Sequence, residues 1–144
     1  MAKSNRQASL NFYDGANGPT LMFLIHEDAD LSALKAILLG LAQGEASKVS
    51  LRSAGIVEFA SAIDDLVFVR ILDEHEPSRT VRKVQDTLLG PLFEFRRYKE
   101  GWLECAELIE GITGPGHQYL SRGSNDEALV MACRKLRFGP GHPG

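Results

Sequence analysis

Histidine and carboxylate side chains stand together at several places next to apolar runs of the sequence. His26 and Glu27 follow one such run, His75 lies in the acidic segment 73–76, and His117 follows a Gly-Pro-Gly turn. Imidazole and carboxylate groups could form a metal or small-ligand site if these strand ends met in space. No pair has the HxH or HExxH spacing that sets ligand geometry locally, so the identity of any metal stays open. Solvated polar loops are the alternative, and the sequence favours it.

A basic and aromatic segment is the second candidate. Arg96, Arg97 and Tyr98 are followed by Lys99, with Trp102 close behind. Such side chains can bind an anion or contact a protein partner. Alternation along a strand would place Arg97 and Lys99 on one face and Arg96 and Tyr98 on the other. The alternative is the solvated end of a strand that leads into a helix.

Glutamates line one side of the helix predicted over 100–112. Glu100, Glu104 and Glu107 share this side. Like charges at these spacings repel by a few tenths of a kcal/mol each, and a solvated face is the usual explanation. A basic partner is the alternative, because the charge would speed its association. The candidate partner contacts are therefore Arg96, Arg97, Tyr98, Glu104 and Glu107.

The sequence contains no recognisable catalytic arrangement. Cys105 lies on the apolar side of the predicted helix, which disfavours a reactive thiolate, and Cys133 has no better setting. The GxSxG elbow, the GxxxxGK[ST] phosphate loop and the GxGxxG dinucleotide motif are all absent. We therefore predict no catalytic residue and no cofactor, and a non-enzymatic protein is favoured over an enzyme.

The length and net charge of the chain limit the classes of protein to which it can belong. The chain has 144 residues and a formal net charge of −3, with a balance of −5 over residues 1–78 and +2 over residues 79–144. Nucleic-acid binding normally needs a much stronger basic surface. The polar start has no apolar leader run, and no apolar run reaches the roughly 18 residues of a membrane span. With two cysteines outside any CxxC pair, the sequence predicts a cytoplasmic protein with free thiols.

Periodicity predicts the elements that must position these residues. Leucines at helical spacing predict a helix over 30–44, begun by Asp30 and ended by Gly44, and a second helix covers 100–112. Alternating or short apolar runs predict strands, with a hairpin first. Segments 78–89 and 125–137 fit either a helix or a strand, and a strand is favoured for both. The predicted strand segments are 10–13, 21–25, 48–52, 56–60, 66–72, 93–96 and 117–121.

The sequence therefore predicts an α+β fold: an antiparallel, meander-like sheet of about seven strands, with two helices packed on one face. One domain would cover 1–138, followed by a flexible Gly/Pro-rich tail at 139–144. No repeat of 20–50 residues is visible. Apolar residues on both faces of 21–25 and 66–72 call for a covered second face, as in a curved sheet or a homodimer.

The function predicted from these observations is that of a non-enzymatic binding domain. It would act through a protein partner or as a homodimer, and an inhibitor or immunity-type protein is one version of this function. The alternative is a small-ligand or metal-binding protein, or an enzyme, whose site uses His26, Glu27, His75 and His117.

Overall fold

The computed structural model describes residues 8–15, 18–60, 62–72, 80–112, 115–121 and 128–134. Within these ranges the chain forms three helices and nine strands. The helices are α1 (Asp28–Gln43), α2 (Leu51–Ala54) and α3 (Lys99–Glu110). The strands are β1 (Ala8–Gly15), β2 (Gly18–Ile25), β3 (Lys48–Ser50), β4 (Val57–Phe59), β5 (Asp65–Arg70), β6 (Thr80–Thr87), β7 (Gly90–Arg97), β8 (Gly116–Ser121) and β9 (Leu129–Arg134).

The strands form two mixed sheets. Sheet A has five strands in the order β4-β1-β2-β9-β8, and sheet B has four in the order β3-β5-β7-β6. Pairing is parallel for β1–β4, β2–β9 and β5–β7 and antiparallel for the other pairs. The predicted α+β class is confirmed, but the single antiparallel sheet of about seven strands is wrong. Alternation identifies a strand without identifying the strand that it pairs with, and a meander is only the simplest way to join neighbours.

The inner faces of the two sheets share one hydrophobic core. The rings of Phe12 and Phe93, from sheets A and B, lie 5.2 Å apart, and those of Phe23 and Phe68 lie 6.4 Å apart. Trp102 of α3 is fully buried, with its ring 5.0 Å from that of Phe68. Helices α1 and α3 pack against each other and contribute to this common core, instead of covering one face of a single sheet.

The boundaries of the first helix differ from the predicted ones at one end. Helix α1 begins at Asp28, with Glu27 in the N-cap position, so Asp30 lies in the first turn and does not begin the helix. It ends as predicted at Gly44, whose φ of 81° is left-handed and favours glycine. The predicted strand 48–52 is also shorter, because the Ser50 side chain accepts a hydrogen bond from the Ser53 amide and caps α2.

The two ambiguous segments contain strands where the structure describes them. Residues 80–87 form β6, which pairs with β7, and residues 129–134 form β9, which pairs with both β2 and β8. The predicted tail at 139–144 lies outside the described residues, and the domain boundary at 138 stays a prediction. Among the helices of the described ranges, none has the length and hydrophobicity needed to span a membrane.

Within the described residues, the two halves of the chain have a similar order of elements, although α2 and β4 occur only in the first half. In each half a hairpin leads into a long helix: β1, β2 and α1 in the first, and β6, β7 and α3 in the second. Strand β3 pairs antiparallel with β5 after the first helix, and β8 pairs with β9 after the second. Sheet A combines the hairpin β1–β2 of the first half with β9 and β8 of the second, and sheet B combines the hairpin β6–β7 of the second half with β5 and β3 of the first. In each sheet the two pairs meet in a parallel contact, β2 with β9 or β5 with β7.

Equivalent positions in the two halves carry similar core residues. Strands β2 and β7 both begin with Gly-Pro and have eight residues, and β5 and β9 both have six residues and end with arginine. Helices α1 and α3 place apolar side chains at matching positions from their first residues, namely Leu31, Leu34, Leu38 and Leu41 in α1 and Trp102, Cys105, Ile109 and Ile112 at and after α3. This equivalence allows the two halves to be compared residue by residue.

Candidate functional site

Two of the histidines predicted to form a ligand site, His26 and His117, lie at one end of sheet A without standing side by side. His117 of β8 pairs with Cys133 of β9, and Cys133 pairs with Leu24 of β2, two residues before His26. One whole strand therefore separates the two histidine-bearing strands. At a strand spacing of about 4.8 Å, their backbones are roughly 10 Å apart.

The other members of that predicted set are Glu27 and His75. Glu27 is the N-cap residue of α1, and His75 lies outside the described residues. In the part of the chain that the structure describes, no group of three His, Cys, Asp or Glu side chains is placed to hold a metal ion. The described geometry thus gives no support to a metal site at His26, Glu27 and His117.

Two of the predicted partner contacts, Arg97 and Glu104, bind each other. Arg97 is 3% exposed, and its Nη2 donates to Glu104 Oε1 at 2.7 Å. Its Nη1 donates to the Cys105 sulfur at 3.1 Å and to the Leu120 carbonyl at 3.4 Å. Alternation in β7 explains this direction, because Phe93, Phe95 and Arg97 all face the core. Arg97 therefore anchors α3 and β8 and presents no surface to a partner.

The remaining predicted contacts lie at the surface but on different elements. Arg96 faces outward from sheet B, where its Nη1 lies 3.3 Å from Glu94 Oε1. Tyr98 is the N-cap residue of α3, and Glu107 is exposed on the same helix. Tyr98 and Glu107 line an open cavity of about 550 Å³ with Arg97, Glu104 and other residues of α3. Arg96 does not line it, so the five candidates do not form one surface.

A second cavity, of about 290 Å³, lies where β5 ends and α3 begins. Arg70 and Lys99 supply its positive charges, and Glu100 supplies a negative one. Neither Arg70 nor Lys99 forms an ion pair within the described part of the chain. The Nε of Arg70 is buried and has no hydrogen-bond partner among the described residues. A Cβ at Gly44 would lie 2.4 Å from Arg70 Nη1, so glycine there leaves room for the guanidinium.

Arg70 is not among the candidates predicted from the sequence, although the sequence contains a signal for it. Arg70 is the only charged residue in the apolar run 66–72. A charged residue inside such a run has a desolvation cost that some partner must offset. What the sequence could not provide is the pairing of Arg70 with Arg97 in adjacent parallel strands, which brings Arg70 to the start of α3.

The outer face of sheet A is the other feature that the structure brings together. Met22 and Leu24 of β2 pair with Met131 and Cys133 of β9, and all four are half-buried. They alternate with fully buried neighbours such as Phe23, which places them on the side away from the core. Tyr119 of β8, paired with Met131, extends this set. We call these five residues the apolar face of sheet A.

The equivalent positions of sheet B have a different character. By place in their strands, Met22 and Leu24 correspond to Glu94 and Arg96, which form an ion pair. Met131 and Cys133 correspond to Val67 and Val69. The same backbone arrangement therefore tolerates charged residues on sheet B but carries the apolar face on sheet A.

Comparison of the chain with protein-family models, with characterised proteins and with solved structures gives no match.

Proposed function

We propose that this protein is a non-enzymatic interaction domain that acts as a homodimer through the apolar face of sheet A. The observation that carries the proposal is the difference between the two sheets at equivalent positions. Since Glu94 and Arg96 occupy the outer face of sheet B, the fold itself does not require Met22 and Leu24 to be apolar. A contiguous apolar patch on a protein surface usually marks a binding site.

Complementary polar groups at the two borders of this face, a carboxylate and an imidazole, support a second copy as the partner. One row across sheet A runs from Glu58 of β4 through Leu24 of the central strand β2 to His117 of β8. A two-fold axis along β2 would place Glu58 of each protomer opposite His117 of the other. Such an isologous contact is self-complementary, and aligned sheet packing brings the apolar residues of the two copies together.

The size of the face indicates a weak dimer. The whole outer face of sheet A, including the polar borders beside the apolar face, has five strands at about 4.8 Å spacing and six residues at about 3.3 Å, which gives roughly 500 Å² per protomer. Roughly 1,000 Å² in total is the lower end of specific interfaces. We therefore expect a dimer that dissociates on dilution into the micromolar range. Free thiols at Cys105 and Cys133 suit a reducing compartment such as the cytoplasm, which remains part of the proposal.

Sedimentation velocity over about a hundredfold range of concentration tests the proposal. The wild-type protein should shift from monomer to dimer as concentration rises. Met131→Lys should be monomeric throughout, because it places a charge in the apolar face. Val67→Lys makes the same kind of change at the equivalent position of sheet B, next to Glu94, and should remain dimeric.

A charge exchange tests the orientation of the two copies. Glu58→Lys should weaken the dimer, and adding His117→Glu to it should restore the dimer by reversing the contact across the axis. A wild-type chain that stays monomeric at every concentration would contradict the proposal. So would equal behaviour of Met131→Lys and Val67→Lys.

A further inference from the structure

We infer that the 290 Å³ cavity between β5 and α3 is a binding site for a small carboxylate anion, held by Arg70, by Lys99 and by the backbone amides at the start of α3. The inference is independent of dimer formation, because the residues concerned belong to sheet B and α3. It goes beyond the proposed function by assigning a ligand class to a specific site.

The other half of the chain contains the same arrangement with a carboxylate already in place. Arg134 ends β9, and its Nη2 lies 2.6 Å from Oδ1 of Asp28, the first residue of α1. Its Nη1 donates to the carbonyl of Ile112, just after α3, at 3.4 Å. Arg134 thus connects the end of one long helix with the start of the other.

Arg70 has the equivalent position at the end of β5. Its guanidinium lies against Gly44, at the end of α1, and lines a cavity with the start of α3. The position that corresponds to Asp28 is Lys99, the first residue of α3. A cation therefore stands where the other half has a carboxylate, and Arg70 has a buried Nε with no hydrogen-bond partner among the described residues. Within the described part of the chain, the site has the donors of its counterpart and no carboxylate paired with Arg70.

The start of α3 adds further donors. The N-cap residue Tyr98 makes no side-chain capping bond, so the first-turn amides are not satisfied by a side-chain cap at that position. Backbone amides and the partial positive charge at a helix start favour a bound anion. Arginine binds carboxylates through paired donors, and Lys99 contributes a second charge.

The shape and charge of the cavity limit what it can bind. Its volume is at the lower end of ligand pockets, which fits a small molecule. Glu100 also lines it, so the three charged side chains sum to one positive charge, which favours a small organic acid over a polyphosphate. Because the carboxylate of Glu100 adds a negative charge to the lining and repels an anion, Glu100→Gln should tighten anion binding.

A titration of isotope-labelled protein followed by NMR tests this site directly. The probes are acetate, succinate and inorganic phosphate, each at ionic strength held constant with sodium chloride. In the wild-type protein, acetate or succinate should shift the amide signals of Glu100 and Gly101 saturably. Arg70→Met should weaken this binding at least tenfold, and Glu100→Gln should strengthen it severalfold.

Lys99→Asp is the most specific variant, because it copies the arrangement at Asp28. The introduced carboxylate should pair with Arg70, abolish binding of the probes and raise the thermal unfolding midpoint. Lys99 is exposed, so this variant is expected to fold. Lys83→Asp makes the same charge change on β6, the edge strand of sheet B on the far side of β7 from β5, and should leave carboxylate binding unchanged.

Three results would overturn the inference. The first is an absence of saturable shifts at Glu100 and Gly101 with either carboxylate. The second is a Lys99→Asp variant that binds the carboxylates as tightly as the wild-type protein. The third is phosphate binding at least as tight as that of acetate and succinate, which would exclude carboxylates as the ligand class. None of these results depends on the oligomeric state, so they are separate from the tests of the dimer.

Discussion

Arg70 and Arg134 end equivalent strands, but only Arg134 has a carboxylate partner among the described residues. Arg134 pairs with Asp28 at 2.6 Å, whereas Lys99 occupies the matching position near Arg70. The two halves of the chain therefore share an order of elements and a pattern of core residues, but they carry different charged residues at equivalent positions. We expect function to lie where the halves differ, because their common features already account for the fold.

Loss of the Arg97 partner should destabilise the domain. The Arg97 side chain is 4% exposed and the Glu104 side chain 52% exposed, so only one member of the pair has access to water. Glu104→Gln removes the charge that compensates Arg97, and we expect the free energy of unfolding to fall by about 1–2 kcal/mol. Urea denaturation measures the change. The free energy of unfolding of the control variant Glu107→Gln, on the same exposed helix face, should stay within about 0.5 kcal/mol of the wild-type value. Equal losses in both variants would contradict this role of Arg97.

Gly101 should resist replacement by alanine even though it lies in a helix. A Cβ at Gly101 would lie 2.4 Å from Nε of Arg97, whose guanidinium is held by Cys105 and Glu104. Gly101→Ala should therefore lower stability by about 1–3 kcal/mol. Gly40→Ala in α1 is the matched control, because its Cβ would meet only Glu45 at 3.6 Å. The control should gain about 0.5–1 kcal/mol from helix propensity, so a gain in both variants would refute the steric argument.

The elements that could be predicted from the sequence are those determined by local pattern. The leucine spacing of α1 and the left-handed stop at Gly44 identify that helix, and alternation identifies the first hairpin. The exchange of strand pairs between the halves has no local signature, because it depends on long-range contacts such as that of β2 with β9. The same limit applies to the site. Alternation along β7 does not show whether the side that carries Arg97 faces the core or the solvent. Only the pairing of β5 with β7 shows that Arg70 lies next to the start of α3.

Trp102 should contribute through a hydrogen bond as well as through packing. Its ring is fully buried against Phe68 and Phe95, and its Nε1 donates to the Val69 carbonyl at 3.2 Å. Trp102→Phe keeps an aromatic ring but leaves that carbonyl without the side-chain donor and creates a void. We expect a loss of about 2–4 kcal/mol in denaturant unfolding. Leu103→Ala on the exposed side of α3 should cost far less. Comparable losses in the two variants would contradict this contribution of Trp102.

Thermal stability should depend on protein concentration if the apolar face of sheet A is buried in a dimer. Association stabilises the folded state by mass action, and a tenfold rise in concentration is worth about 1.4 kcal/mol per mole of dimer. We therefore expect the unfolding midpoint to rise by about 2 °C for each tenfold increase. Fluorescence of Trp102, the only tryptophan, provides the measurement. Met131→Lys should have a midpoint independent of concentration, whereas Val67→Lys should keep the wild-type dependence, because only the first variant places charge where the two copies meet.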